Sequence, residues 1–254
     1  MRDDTVAVEA PLEIRVAWPD SDGAGEPVSV TMRTPGHDAE LAVGFLLGEG
    51  VLRTRRDVTW VRELGPDGNV ACVGLATDRT IGASRLQRNF YATSSCGVCG
   101  KASLAALESL FEPAAVDASL RVDAALLTSL DAKVREAQRI FRETGGLHSA
   151  SLFDASGALL AMFEDVGRHN ALDKLVGSML LDDRLPLARS VLHLSGRASF
   201  ELVQKAAAAG IPVVAAVGAP SSLAIDLAER AGILLVGFLR GESFNVYAHP
   251  ERLA

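Results

Sequence analysis

Apolar and polar residues alternate near the start of the chain. Val6, Val8, Leu12, Ile14 and Val16 are interleaved with polar positions, and Val28, Val30 and Met32 repeat the period. A period of two predicts half-buried strands. The run Asp20-Ser21-Asp22-Gly23-Ala24-Gly25 between them is turn chemistry, so the two strands form a hairpin. The period then changes. After the turn at 33–38, Leu41, Ala42, Phe45 and Leu46 form one face of a helix, with Asp38 as its N-cap and Gly48 and Gly50 at its end. Strands follow at 58–62, 69–76 and 87–93, and Asp67-Gly68 marks a hairpin between the first two. The first ninety or so residues therefore predict a small sheet on one helix.

The second half has another rhythm. Leu104, Leu107, Leu110 and Phe111 predict a helix over 101–111. Leu126, Leu127, Leu130, Val134, Ala137, Ile140 and Phe141 predict a longer one over 123–142, stopped by Gly145-Gly146. Strands at 148–153 and 159–164 are joined by the turn at 154–157, and a helix with Leu172, Leu175, Val176 and Met179 inward follows. Apolar strands at 191–195, 213–217 and 233–239 then alternate with helices at 200–209 and 222–231, with a short last strand at 244–247. This alternation implies parallel strands with helices as crossovers. The expected fold is α/β: a small N-terminal α/β domain over 1–92 and a second domain over 93–254 with a mostly parallel sheet.

Composition narrows the function. The 254 residues are 48% apolar and 22% charged, as in an ordinary globular protein. A net charge of −7 and the lack of a basic run disfavour nucleic acid as a partner. An anionic ligand would need local arginines and backbone amides. The first nine residues resemble no signal peptide, and no apolar run is long enough for a bilayer, so no membrane is expected. Three cysteines make no disulfide framework.

Candidate chemistry starts at Ser94-Ser95-Cys96-Gly97-Val98-Cys99-Gly100. Two thiols three positions apart at a helix start read as a reactive dithiol, since the helix N-terminus and Lys101 favour the thiolate. Half of a zinc site, a disulfide or two buried thiols are the alternatives. A zinc site lacks its remaining ligands: there is no second cysteine pair, and the strand at 148 reads His148-Ser149-Ala150 without the His-x-Glu of zinc deaminases. No permanent metal is expected. Cys72, in a strand-like run, reads as a buried apolar residue, and His193, inside a buried strand, as a core residue. His148 reads as structural or ligand-lining.

Ligands of open α/β sheets sit beyond the carboxyl ends of strands. Three polar, small-residue loops lie there. They contain Arg197 and Ser199; Ala219, Ser221 and Ser222; and Phe238, Leu239, Arg240, Gly241, Glu242 and Ser243. Hydroxyls, glycine amides and two arginines suit phosphate, although simple helix capping would also use serines there. The densest polar run, 164–170, offers Asp165, Arg168, His169 and Asn170 as acid, base and anion-binding groups.

Several runs, taken in order, resemble the FdhD family of formate dehydrogenase accessory sulfurtransferases. They are 33–50 (RTPGHDAELAVGFLLGEG), 94–100 (SSCGVCG), 145–148 (GGLH), 164–174 (EDVGRHNALDK), 195–199 (SGRAS), 219–225 (APSSLAI), and 237–240 with 245–247. The resemblance implies a cytoplasmic homodimer whose second domain is cytidine-deaminase-like. It implies a carrier that moves persulfide sulfur from a cysteine desulfurase onto the bis(molybdopterin guanine dinucleotide) molybdenum cofactor destined for formate dehydrogenase. Cys96 carries the persulfide on family grounds, and Cys99 resolves or relays it; the sequence does not order the two. A cofactor chaperone without catalysis and a thiol–disulfide oxidoreductase are the alternatives.

Overall fold

A computed structural model describes residues 4–19, 21, 23–65, 68–76 and 116–254. The expected strand at 87–93, the helix at 101–111, both cysteines of the dithiol and the expected boundary at 92/93 lie outside the described residues.

The first sheet contains β1 (Ala10–Ala17), β2 (Glu26–Arg33), β3 (Val58–Leu64) and β4 (Val70–Leu75) in the order β2-β1-β4-β3. The two hairpins pair antiparallel, and β1 pairs parallel with β4. Leu12, Ile14, Val16, Ala71 and Val73 face inward and are wholly buried, whereas Val30 and Met32 of edge strand β2 face solvent. Val6 and Val8 precede β1 and are also exposed. Cys72, in β4, is buried. Helix α1 (Asp38–Gly48) covers the inner face. Its N-cap is His37, in the left-handed region at φ 60°, rather than the expected Asp38. Asp38 is instead the first helical residue, with its carboxylate in a buried bidentate pair with Arg33, Nε–Oδ1 2.8 Å and Nη2–Oδ2 2.7 Å.

The second sheet contains β5 (His148–Asp154), β6 (Leu159–Asp165), β7 (Ser190–Leu194), β8 (Val213–Ala216), β9 (Leu234–Arg240) and β10 (Ser243–Ala248), in the order β10-β9-β8-β7-β5-β6. Strands β7, β8 and β9 are parallel neighbours, as the alternation with helices predicts. The sheet as a whole is nevertheless mixed, which corrects the expectation of a mostly parallel one: β10 with β9, β5 with β6 and β5 with β7 pair antiparallel. The reason is local. Two of these pairs are hairpins with connections too short for a crossover. The third arises because β5 lies between β6 and β7.

Helices complete the layers. The expected helix over 123–142 is two helices, α2 (Ala124–Ala137) and α3 (Arg139–Thr144). Gln138 between them is extended, at φ −68° and ψ 94°, and its buried amide donates to Ser149 Oγ at 2.9 Å. Glu164 then accepts from the main-chain N–H groups of Ile140 and Phe141 and starts α3. Helices α4 (Arg168–Leu181), α5 (Phe200–Ala208) and α6 (Ser222–Ala231) follow β6, β7 and β8. One apolar cluster runs without a break from β1 and α1 through α4 to β7 and β8; a second fills the space between α2 and the other face of β7, β8 and β9.

The helices α1 and α4 are packed main chain to main chain. A Cβ on Gly44 would lie 1.9 Å from the Asp173 carbonyl oxygen, and one on Gly177 would lie 1.9 Å from the Glu40 carbonyl oxygen. Polar contacts join the same units. Lys174 Nζ, buried, pairs with Asp165 at 2.7 Å and donates to the Thr34 carbonyl at 2.8 Å. Among the described residues no helix is long and apolar enough to cross a membrane.

Candidate functional site

Strand direction gathers one edge of the second sheet. Strands β6, β7, β8 and β9 end there, β5 and β10 begin there, and α4, α5 and α6 start there. Three helix N-termini at one edge offer unpaired N–H groups and a positive field, a setting that favours an anion.

Main-chain hydrogen bonds tie the three loops together. Gly218 N–H donates to the Gly196 carbonyl at 2.9 Å, Ala198 to Ala219 at 3.2 Å, Ser221 to Ala198 at 3.0 Å and Phe238 to Gly218 at 3.1 Å. The parallel ladder thus continues past the ends of β7, β8 and β9. Glycine is needed where these loops touch. A Cβ on Gly218 would lie 3.0 Å from the Arg197 main chain, and one on Gly237 2.8 Å from the Pro220 ring and 3.0 Å from Tyr247. Phe238 has φ 53°, uncommon for an aromatic residue, and its ring is 40% exposed beside that junction.

The side chains at this edge are mostly cationic or hydroxylic. Arg168 is the first residue of α4, and its Nε is buried with no hydrogen-bond partner among the described residues. A buried donor without a partner fits a site that binds an acceptor from outside the chain. His148, half-buried at the start of β5, lies beside Gly196. Burial, and then the positive charges of Arg168 and His169, lower its pKa below the usual histidine range, while Asp165 opposes them. Such a His is neutral at pH 7. His169 Nε2 lies 3.0 Å from Glu201 Oε2 and 3.3 Å from Ser199 Oγ.

The other expected site residues divide into groups. Arg197 is exposed on the loop after β7, and Ser199 is the N-cap of α5. Ser221 caps α6 by accepting from Ala224 N–H at 3.3 Å, and Ser222, its first residue, is exposed. Arg240 and Ser243 face each other across the β9–β10 hairpin, with Gly241 and Glu242 as its exposed turn. The Leu239 side chain points into the second core, so only its main chain is available at this edge.

Asp165 and Asn170 are turned to another task. The Asp165 carboxylate accepts from Thr34 N–H and Gly167 N–H and pairs with Lys174; Asn170 donates to the Met32 carbonyl and bonds Thr31. Both hold the N-terminal sheet against the second unit. Glu201 and Tyr247 were not singled out by sequence. A glutamate in the first turn of a helix reads as ordinary capping chemistry, and the only signal for Tyr247 is its place in the run 245–247. The described residues contain no cluster of His, Cys, Asp and Glu able to hold a metal ion.

Comparison with known proteins gives this edge a context. The sequence profile of the FdhD/NarQ family matches residues 7–254. A protein of Mycolicibacterium paratuberculosis named sulfur carrier protein FdhD is 53% identical, over 99% of this chain and 93% of that protein. One of the same name from Streptomyces coelicolor is 52% identical, over 100% and 90%. An archaeal one, from Sulfurisphaera tokodaii, is 44% identical over 100% and 93%. A crystal structure ascribed to a formate dehydrogenase accessory protein of Desulfotalea psychrophila superposes with a TM-score of 0.75 at 28% identity, covering 100% of this chain and 92% of that one. With a match of this extent to the profile and to proteins at half identity, the chain belongs to the FdhD/NarQ family.

Proposed function

We propose that the protein is a sulfur carrier that takes persulfide sulfur from a cysteine desulfurase and delivers it to the bis(molybdopterin guanine dinucleotide) molybdenum cofactor, for use by formate dehydrogenase. The observation that carries the reading is the sheet edge with three helix N-termini, Arg168 with a buried Nε that has no partner among the described residues, and exposed Arg197 and Arg240. A ligand with two pyrophosphates suits such an edge, since amides and guanidiniums pair with several phosphate oxygens at once. The names of the curated relatives support the sulfur-carrying part.

Cys96 and Cys99 lie outside the described residues, so their roles rest on sequence. In this reading the Cys96 thiolate attacks the outer sulfur of the donor's persulfide. The donor S–S bond breaks, the donor leaves as a thiolate, and a persulfide forms on Cys96. Cys99 resolves or relays it. The cofactor is the substrate, bound with its guanine dinucleotide across the strand ends beside Phe238. The protein works as a cytoplasmic homodimer, with a deaminase-like second unit, on the strength of the family resemblance.

Labelled cysteine and a cysteine desulfurase test the reading. Mass spectrometry is expected to find one extra sulfur on Cys96 that survives Cys99→Ala and is lost in Cys96→Ala. Loss in Cys99→Ala alone would reverse the two roles, and absence of extra sulfur in the unaltered protein would remove the carrier. Calorimetry with GDP as a cofactor fragment tests the edge. Arg197→Ala and Arg240→Ala should each weaken GDP and leave sulfur loading intact, and unchanged affinity in both would displace the cofactor from this edge.

A further inference from the structure

We propose that Glu201 is a positioning residue for His169, held in turn by a buried ion pair one helical turn deeper. The helices α4 and α5 face each other with two rungs between them. The upper rung, at the anion edge, is His169 Nε2 to Glu201 Oε2 at 3.0 Å. The lower rung is Asp173 Oδ1 to Lys205 Nζ at 2.5 Å. Asp173 follows His169 by four residues on α4, and Lys205 follows Glu201 by four on α5, so each pair also stacks along its own helix. Around this square, base and acid alternate at every corner.

Burial makes the square rigid. The side chains of the lower rung are 3% and 9% exposed, and those of the upper rung 14% and 18%. Lys205 is further confined from α1: its Nζ lies 5.7 Å from the Phe45 ring centroid, and a Cβ on Gly48 would lie 2.8 Å from it. Lys205 attracts the Glu201 carboxylate along the helix, and the carboxylate fixes the imidazole. A carboxylate can only accept, so the hydrogen resides on Nε2. Nδ1 has no hydrogen-bond partner among the described residues. The tautomer is thereby set, and Nδ1 is the nitrogen left for a ligand or a reacting group. A serine hydroxyl such as Ser199, which both donates and accepts, does not make this choice.

The consequence for binding rests on the reading of this edge as an anion site. Bare electrostatics says that removing the negative charge of Glu201 strengthens an anion's hold. Positioning says the reverse, because His169 then loses its orientation. The decisive variant is Glu201→Gln: its amide can accept from Nε2–H or donate to a bare Nε2, so both tautomers become possible. Nitrogen-15 NMR of the His169 ring, at a pH where it is neutral, should show one tautomer protonated at Nε2 in the unaltered protein and in Ser199→Ala. It should show a mixture in Glu201→Gln. Calorimetry should find GDP bound about tenfold more weakly by Glu201→Gln. A single unchanged tautomer in Glu201→Gln, or tighter GDP binding, would overturn the proposal. Failure of the unaltered protein to bind GDP would overturn the anion-site reading instead, and the tautomer result would still decide the role of Glu201.

Discussion

Replacing Gly177 with alanine tests how closely α1 and α4 must approach. The new Cβ would lie 1.9 Å from the Glu40 carbonyl oxygen and 2.7 Å from the Gly44 nitrogen, where ordinary contact begins near 3.4 Å. The obstacle is main chain, which cannot rotate away, so the helices must part by about 1.5 Å. Overpacking of this kind costs up to about 3 kcal/mol. Alanine is the better helix former by about 1 kcal/mol, which offsets part of it. The net expectation is a loss of about 2 kcal/mol, or a fall of roughly 4–8 °C in melting temperature for a chain of this size. Gly44→Ala should behave alike. The double variant should lose less than the two single losses combined, because both substitutions push apart the same pair of helices. Gly146→Ala, whose Cβ would meet nothing nearer than 3.9 Å, serves as the reference. Calorimetric melting decides: if Gly177→Ala melts at or above the unaltered protein, helix propensity governs and the close contact is not real.

Two further predictions follow from buried groups and strained backbone. Burial lowers the pKa of His193 to about 4 and raises that of Asp173 to about 6, against 6.5 and 3.8 in the unfolded chain. On acidification the unfolded state gains the His193 proton first, which costs stability from pH 6.5 down to 4. The folded state gains the Asp173 proton first, which adds stability from pH 6 down to 3.8. Each effect amounts to about 3 kcal/mol and they oppose, so the pair leaves little slope. His193→Phe should uncover the Asp173 effect and make the protein about 2 kcal/mol more stable at pH 4.5 than at pH 6, relative to the unaltered chain. Equal slopes in urea titrations of the two proteins would contradict the His193 assignment, and a flat pH dependence of His193→Phe the Asp173 one. For Phe238, at φ 53°, Gly should be better tolerated than Ala by about 1 kcal/mol, since only glycine adopts that conformation without strain. Greater stability of Phe238→Ala in the same assay would remove the strain.

The buried Asp173–Lys205 pair is an ion pair at neutral pH. Burial raises the pKa of Asp173 and Lys205 opposes the rise; burial pulls that of Lys205 down, and Asp173 and Glu49 more than reverse it. At a contact of 2.5 Å, an acid at about 6 beside a raised lysine leaves both charged at pH 7.

Much of the second unit was legible because its signals are local. Strands β7, β8 and β9 are short apolar runs between helices, and their parallel pairing follows from the crossovers. The break at Gln138 was not legible, because the apolar period runs on through Ile140 and Phe141. Those two side chains are largely exposed, and the break is made by Ser149 and Glu164 from other strands. The place of β5 between β6 and β7 is likewise a matter of long-range pairing. At the site, serines, glycines and arginines announced the loops. Asp165 and Asn170 looked like ligand groups because nothing in the sequence shows that Met32 and Thr34 lie against them.

The main-chain contact between α1 and α4 also sets an order of events during synthesis. Helix α1 is complete at Gly48, yet the helix that covers it begins only at Arg168, about 120 residues later. At ribosomal speed the interval is on the order of ten seconds. For that time Glu40 and Gly44, which meet Gly177 and Asp173 of α4 in the finished protein, have no α4 to close over them. The N-terminal unit therefore leaves the ribosome before the helix that packs main chain to main chain on α1 exists.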